Sequence, residues 1–182
     1  MVRTASPEPG AQGPERRLRS RGAVLLALAL VSGARLGAQA PAPAVGDAAP
    51  VVSVANLEGT PVKIALTPGK RAMVVEFWAT WCEVCRALMP SMRAAQKTYG
   101  DRVDFYGVNV TVNERKERVK QYVTDNKPPF LTLFDDKGVA TRAFAAMATS
   151  TVVIIDRNGK IAYMGEGSDQ NISALIAKVV GK

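Results

Sequence analysis

Val74-Val75-Glu76-Phe77-Trp78-Ala79-Thr80-Trp81-Cys82-Glu83-Val84-Cys85-Arg86-Ala87-Leu88-Met89-Pro90, or VVEFWATWCEVCRALMP, is the stretch on which the reading of this chain turns. Its first half belongs to an apolar run from Ala72 to Ala79 that is broken only by Glu76, the pattern of a central strand covered on both faces. Its second half opens a segment, Glu83 to Tyr99, whose apolar residues fall at helical spacing, with Pro90 inside it removing one backbone donor. Between the halves stand Cys82 and Cys85, the only two cysteines in a chain of 182 residues that has no histidine. Cys82 is therefore expected at a helix N-terminus, where unpaired N–H groups and the positive end of the helix dipole favour an anion. A thiolate is such an anion, and the thiolate is the species that attacks a disulfide. Cys85, one helical turn further on, is in reach to resolve the mixed disulfide that results.

Outward from this centre the chain alternates. On the N-terminal side, Val51 to Leu66 holds two apolar runs about Asn56-Leu57-Glu58-Gly59, which predicts a small hairpin, and Pro68-Gly69-Lys70 marks another turn. On the C-terminal side, Val103 to Val110 has a strand pattern. Glu114 to Asn126 reads as an amphipathic helix with Val119, Tyr122 and Val123 inward, a Glu114/Arg118 pair at supporting spacing, and the run Glu114 to Arg118 on its solvated side. Phe130 to Phe134 is a short strand and Gly138 to Ala146 a short helix. Thr151 to Asp156, the turn Arg157-Asn158-Gly159 and Lys160 to Met164 form a hairpin, and Ile172 to Val180 closes as a helix. This order makes an α/β protein with a mixed central sheet and helices on both faces.

The first 22 residues are rich in Arg, Pro and Gly, and an apolar run from Ala23 to Ala34 follows; with Ala38-Gln39-Ala40 as a small-x-small site, this is the layout of a signal peptide cut after Ala40. The apolar run is shorter than the roughly 20 residues a spanning helix needs, so cleavage and export are expected rather than an uncleaved anchor. The division that follows is 1–40 signal peptide, 41–50 Ala/Pro-rich linker and 51–182 one domain. Cleavage removes six Arg and two Glu, so the formal net charge falls from +8 to +4, with 18 basic and 14 acidic residues interleaved. That balance favours solubility and gives no basic face for nucleic acid. Export also permits disulfides, yet the one possible internal bridge closes too short a loop to serve as a staple, and the pair is better explained by chemistry than by stability.

The motif FWATWC followed by the second cysteine, Pro90 and a late Ile155-Asp156-Arg157-Asn158-Gly159-Lys160 resembles the exported TlpA/ResA-type thiol-disulfide oxidoreductases of the thioredoxin fold, from about Asp47 to the C-terminus. The resemblance implies a thioredoxin fold with an added N-terminal hairpin, an exposed attacking Cys82, a buried resolving Cys85, and an acid at Glu76 that exchanges a proton with Cys85. Glu76 lies six residues before the first cysteine, in the buried run, where desolvation should raise its pKa; a neutral glutamic acid satisfied by backbone or water is the alternative. Glu83 has two readings as well: a charge that disfavours the thiolate and so tunes the pair toward reduction, as ResA-like proteins carry Glu there, or a residue that merely suits the helix dipole. Trp78 is assigned to the core, and Trp81 to an apolar surface that meets the partner.

One departure from the family stands out. Thioredoxin-like proteins place a cis-proline just before the strand that here is Thr151 to Asp156, and matching the Ile-Asp pairs puts Ser150 there; the last proline of the chain is Pro129. A cis bond before a non-proline is costly, so either the Thr149–Ser150 bond is trans and the loop rearranged, or strain is held there. With Ser150 a hydroxyl replaces the ring that shields the sulfurs, while the Thr149 backbone is placed to pair with an extended substrate segment. Two thiols without histidine supply half of a tetrahedral zinc site at most, so no metal and no cofactor is assigned. The expected function is an exported, monomeric reductant of disulfides in protein partners, among them cysteine pairs in cytochrome c or metal-site assembly, recharged by a membrane reductase. A disulfide-forming oxidant and a binding module without turnover are the alternatives.

Overall fold

In the computed structural model, residues 41–64 and 71–181 are described; the expected signal peptide, 1–40, and the turn at Pro68-Gly69-Lys70 lie outside them. The strands are β1 Val52–Asn56, β2 Pro61–Ile64, β3 Ala72–Trp78, β4 Val103–Asn109, β5 Leu131–Phe134, β6 Thr151–Ile155 and β7 Ile161–Gly165; the helices are α1 Glu83–Tyr99, α2 Lys116–Asn126, α3 Val139–Ala143 and α4 Ile172–Val180. The strands form one sheet in the order β2-β1-β5-β4-β3-β6-β7. β3, β4 and β5 run parallel, and the β1–β2, β1–β5, β3–β6 and β6–β7 pairs are antiparallel.

β3 is the axis of the sheet. All seven of its residues are buried, as expected of a strand flanked by two others and covered above and below. Its alternate side chains serve two cores. Ala72 and Val74 pack with Leu88, Met92 and Ala95 of α1 and with Ile172 and Ile176 of α4, while Met73, Val75 and Phe77 belong with Ala140 of α3 and with Phe144, which caps its C-terminus. The two parallel crossovers, β3-α1-β4 and β4-α2-β5, run the same way across the sheet, so the right-handed rule puts α1 and α2 on one face. There Arg93 of α1 donates to the backbone oxygens of Asn126 and Lys127 at the end of α2. Ser91 ties α1 to α4, accepting the Ile172 N–H and donating to the Gln170 carbonyl.

Three details differ from the pattern read in the sequence. α2 begins at Lys116, and Glu114 stands outside it; the Glu114/Arg118 helix pair therefore does not form, because Thr111 and Asn113, both at positive φ, turn the chain before the helix starts. α3 is confined to Val139–Ala143. Within the expected linker, Gly46 and Ala49 donate to the carbonyls of Ile161 and Gly159, and Ile161 donates back to Asp47, so this part lies along the β6–β7 hairpin.

Candidate functional site

α1 starts where β3 has ended, and the residue that caps it is Cys82. With φ −77° and ψ 106° Cys82 is still extended, and its Sγ accepts the Cys85 N–H at 3.0 Å. A capping side chain of this kind satisfies one of the helix's free donors, and here the acceptor is the sulfur that the sequence singles out for ionisation. Cys82 and Cys85 are joined as a disulfide. In this oxidised form both are buried, Cys82 at 3% and Cys85 at 2% exposure. The expectation of an exposed Cys82 is thus corrected: bonded to Cys85 and turned onto the first turn of α1, its sulfur is covered.

Glu76 is fully buried in β3, facing Gly107 of β4 on one side and Val152 of β6 on the other. Strand alternation places its side chain on the α1 face, with Ala72 and Val74. Gly107 matters here, because the ring of Phe130 lies where a Cβ would stand, and only glycine admits that approach. Neither carboxyl oxygen of Glu76 has a hydrogen-bond partner among the described residues. Burial alone pushes its pKa from 4.5 to about 8. Trp78 is core: it is buried and packs on Tyr122 and Phe130 with ring centroids 5.3 and 5.6 Å away.

Trp81 is 43% exposed, and its Nε1–H donates to the Val112 carbonyl at 2.8 Å. With Val112, Ala146, Met147 and Thr149 it lines a largely apolar cleft of about 360 Å³ that begins at Trp81, the residue before Cys82. Ser150 differs from its expected role. Its φ is 64°, its N–H donates to the Phe77 carbonyl at 2.7 Å, its Oγ accepts the Gly167 N–H, and its carbonyl accepts from Gln170 Nε2. The residue is buried. Its hydroxyl therefore opens nothing to the sulfurs, and Thr149, half-buried, is the neighbouring residue of this loop that lines the cleft. The loop is rearranged relative to what a proline permits, since proline fixes φ near −65° and has no N–H.

Glu83 is highly exposed and pairs with Arg86 at 3.4 Å. Arg86 also donates to the Thr80 carbonyl at 3.4 Å, a contact with the loop before Cys82 that reading the sequence missed. Glu114 was missed too: its Oε1 accepts the Thr80 N–H at 2.5 Å. The residue sits first in a charge run, and helical periodicity assigned it to a solvated face; Asn113 just before it, a residue type that tolerates the positive φ of 54° found there, is the signal that the chain turns. Among the described residues no three His, Cys, Asp or Glu side chains gather to hold a metal, and no helix is long and apolar enough to cross a membrane.

Comparison with known proteins agrees with this geometry. Residues 44–178 match the Redoxin family. The thioredoxin-like protein YneN of Bacillus subtilis is 34% identical over 117 residues, 64% of this chain and 68% of its own length. The thiol-disulfide oxidoreductase ResA of Geobacillus thermodenitrificans is 30% identical over 152 residues, 81% of this chain and 86% of its own. Among solved structures, the thioredoxin domain of a thiol-disulfide oxidoreductase from Bacteroides vulgatus superposes with a TM-score of 0.64 at 21% identity, covering 75% of this chain and 98% of that one, a likeness of fold.

Proposed function

We infer that this chain, which belongs to the Redoxin family and is of the TlpA/ResA type, is an exported thiol-disulfide oxidoreductase that reduces disulfides in protein partners. The observation that carries the reading is the Cys82 sulfur acting as N-cap of α1, one turn from Cys85 and on the helix that covers Glu76. In the reduced protein the Cys82 thiolate attacks one sulfur of the partner's disulfide. A bond forms between Cys82 and that sulfur, the partner's S–S bond breaks, and the other partner sulfur leaves as a thiolate and takes up a proton. Cys85 then gives its proton to the Glu76 carboxylate and attacks the Cys82 sulfur, restoring the internal disulfide. The second partner sulfur leaves and receives that proton. The partner gains two electrons and two protons, and the dithiol is oxidised to the disulfide.

The Trp81 cleft receives the apolar residues beside the partner's cysteine, and the Thr149 backbone pairs with its extended segment. Each turnover leaves the pair oxidised, so an exported enzyme requires an electron donor, and a membrane reductase meets that need. Partners awaiting haem or a metal on a reduced cysteine pair fit the same chemistry.

Direction is read from the redox poise. Equilibration with glutathione buffers is expected to place the potential well below that of the strongly oxidising periplasmic enzymes, near −120 mV for the best known of them, and the wild-type chain is expected to turn over insulin with dithiothreitol. A potential close to that value would reverse the direction to oxidation. Absence of insulin reduction above background would leave a binding module.

A further inference from the structure

The loop between β4 and α2 is held against the approach to Cys82 by three hydrogen bonds. Val110 N–H donates to the Trp78 carbonyl at 3.0 Å, Trp81 Nε1–H to the Val112 carbonyl at 2.8 Å, and Thr80 N–H to Glu114 Oε1 at 2.5 Å. Thr111 and Asn113 bring it there through positive φ values of 59° and 54°, a conformation that non-glycine residues adopt only where their surroundings impose it. The second oxygen of Glu114, Oε2, is buried and has no hydrogen-bond partner, and among the described residues Glu114 has no ion pair.

We propose that Glu114, rather than Glu83, is the carboxylate that limits ionisation of Cys82 and makes the pair more reducing. The proposal rests on the thiol-disulfide reading above and deepens it.

Two effects act in the same direction. Thr80 precedes Cys82 by two residues, about 7 Å between Cα atoms at most extension, so a partly desolvated, unpaired charge fixed on Thr80 acts on the sulfur through a medium of low polarity. Glu114 also occupies the Thr80 N–H, a donor that would otherwise be free beside the thiolate. Glu83 is nearer in sequence but weaker in effect. It is exposed, its field is screened by water and salt, and the Arg86 guanidinium at 3.4 Å opposes it. The remaining titratable group about the site is Glu76, buried beneath α1 and kept protonated by desolvation until about pH 8, while the segment Ala146 to Ser150 contributes no charged residue. A less stabilised thiolate leaves the reduced form less favoured, which makes the pair a stronger reductant.

Glu114→Gln keeps an acceptor for the Thr80 N–H and removes the charge. In the full chain it is expected to lower the apparent pKa of Cys82 by about one unit, read from the pH profile of alkylation by iodoacetamide. It should also make the disulfide about tenfold easier to reduce in glutathione buffers, a rise of about 30 mV for a two-electron couple. Glu83→Gln is expected to move both by less than about twofold. A Glu114→Gln protein within twofold of wild type, or a larger shift in Glu83→Gln, would overturn the assignment. Insulin reduction by the unsubstituted chain, measured alongside, separates the two claims: turnover with an unmoved potential removes only the role of Glu114, whereas no turnover removes the reading beneath it.

Discussion

Glu76→Gln is expected to remove most of a fall in stability that the wild-type protein shows between pH 5 and 8. In the unfolded chain the carboxyl loses its proton near 4.5; in the fold, desolvation holds the proton until about pH 8. Between these values the native state binds one proton more than the unfolded state, so stability declines as pH rises. The stabilisation is fully present below pH 4.5 and is lost through pH 8. Across the whole interval the difference is on the order of 4 kcal/mol, and a buried carboxyl without partners offers nothing to offset it. Glutamine has nearly the shape of the protonated acid and does not titrate. The oxidised wild type and variant should therefore have similar urea midpoints near pH 4.5 and diverge steadily to pH 8, the variant being the more stable. Parallel curves would mean that Glu76 is ionised in the fold or is reached by water. In turnover the same variant should resolve mixed disulfides some 10²-fold more slowly, a typical loss for a positioned proton acceptor, and the pH dependence of that step near 8 should disappear with it.

The second large effect concerns the loop in front of β6. Ser150→Pro introduces the residue type that the resemblance to thioredoxin-like proteins implies at this place, yet it should destabilise this protein by about 3 kcal/mol or more. Proline cannot adopt the φ of 64° found at Ser150, and it has no N–H to donate to the Phe77 carbonyl. Phe77 is fully buried in β3, so its carbonyl would be left unpaired away from water, a substantial cost in itself. The bonds from Gly167 N–H and Gln170 Nε2 to Ser150 would be lost or displaced as the backbone turned. Ser150→Gly is the control. It relieves the left-handed φ and gives up only the hydroxyl contact, and should stay within about 1 kcal/mol of wild type. Denaturant midpoints of the three proteins decide the matter; a proline variant as stable as wild type would mean that the loop reaches the relatives' geometry without penalty.

These two sites also show what was legible in the sequence and what was not. β3, α1, the two hairpins and α4 could be read because their signals are local: an apolar run around Glu76, helical spacing after Cys82, Asn and Gly at the turns, and a 3.6-residue period from Ile172. Glu76 stood out for the same reason, as a charge inside a strand buried on both faces. The place of Ser150 in the chain was legible, but its backbone conformation was not, since that depends on Phe77, Gly167 and Gln170, all distant in sequence. Glu114 was assigned to a solvated helix face because periodicity is blind to a contact with Thr80, 34 residues away. The contacts of Arg86 with Glu83 and with the Thr80 carbonyl likewise depend on how the chain turns into α1, which composition does not show. The covered state of Cys82 follows from its bond to Cys85 and from capping its own helix, neither of which spacing determines.

The chemistry proposed for the chain requires Cys82 to be the attacking sulfur and Cys85 the resolving one, and trapping tests this most directly. Reduced Cys85→Ser protein, incubated with insulin and examined by mass under non-reducing conditions, should accumulate a covalent adduct through Cys82 that dithiothreitol releases, while Cys82→Ser should form almost none. Equal adducts with both variants, or none with either, would contradict the assignment of the two sulfurs.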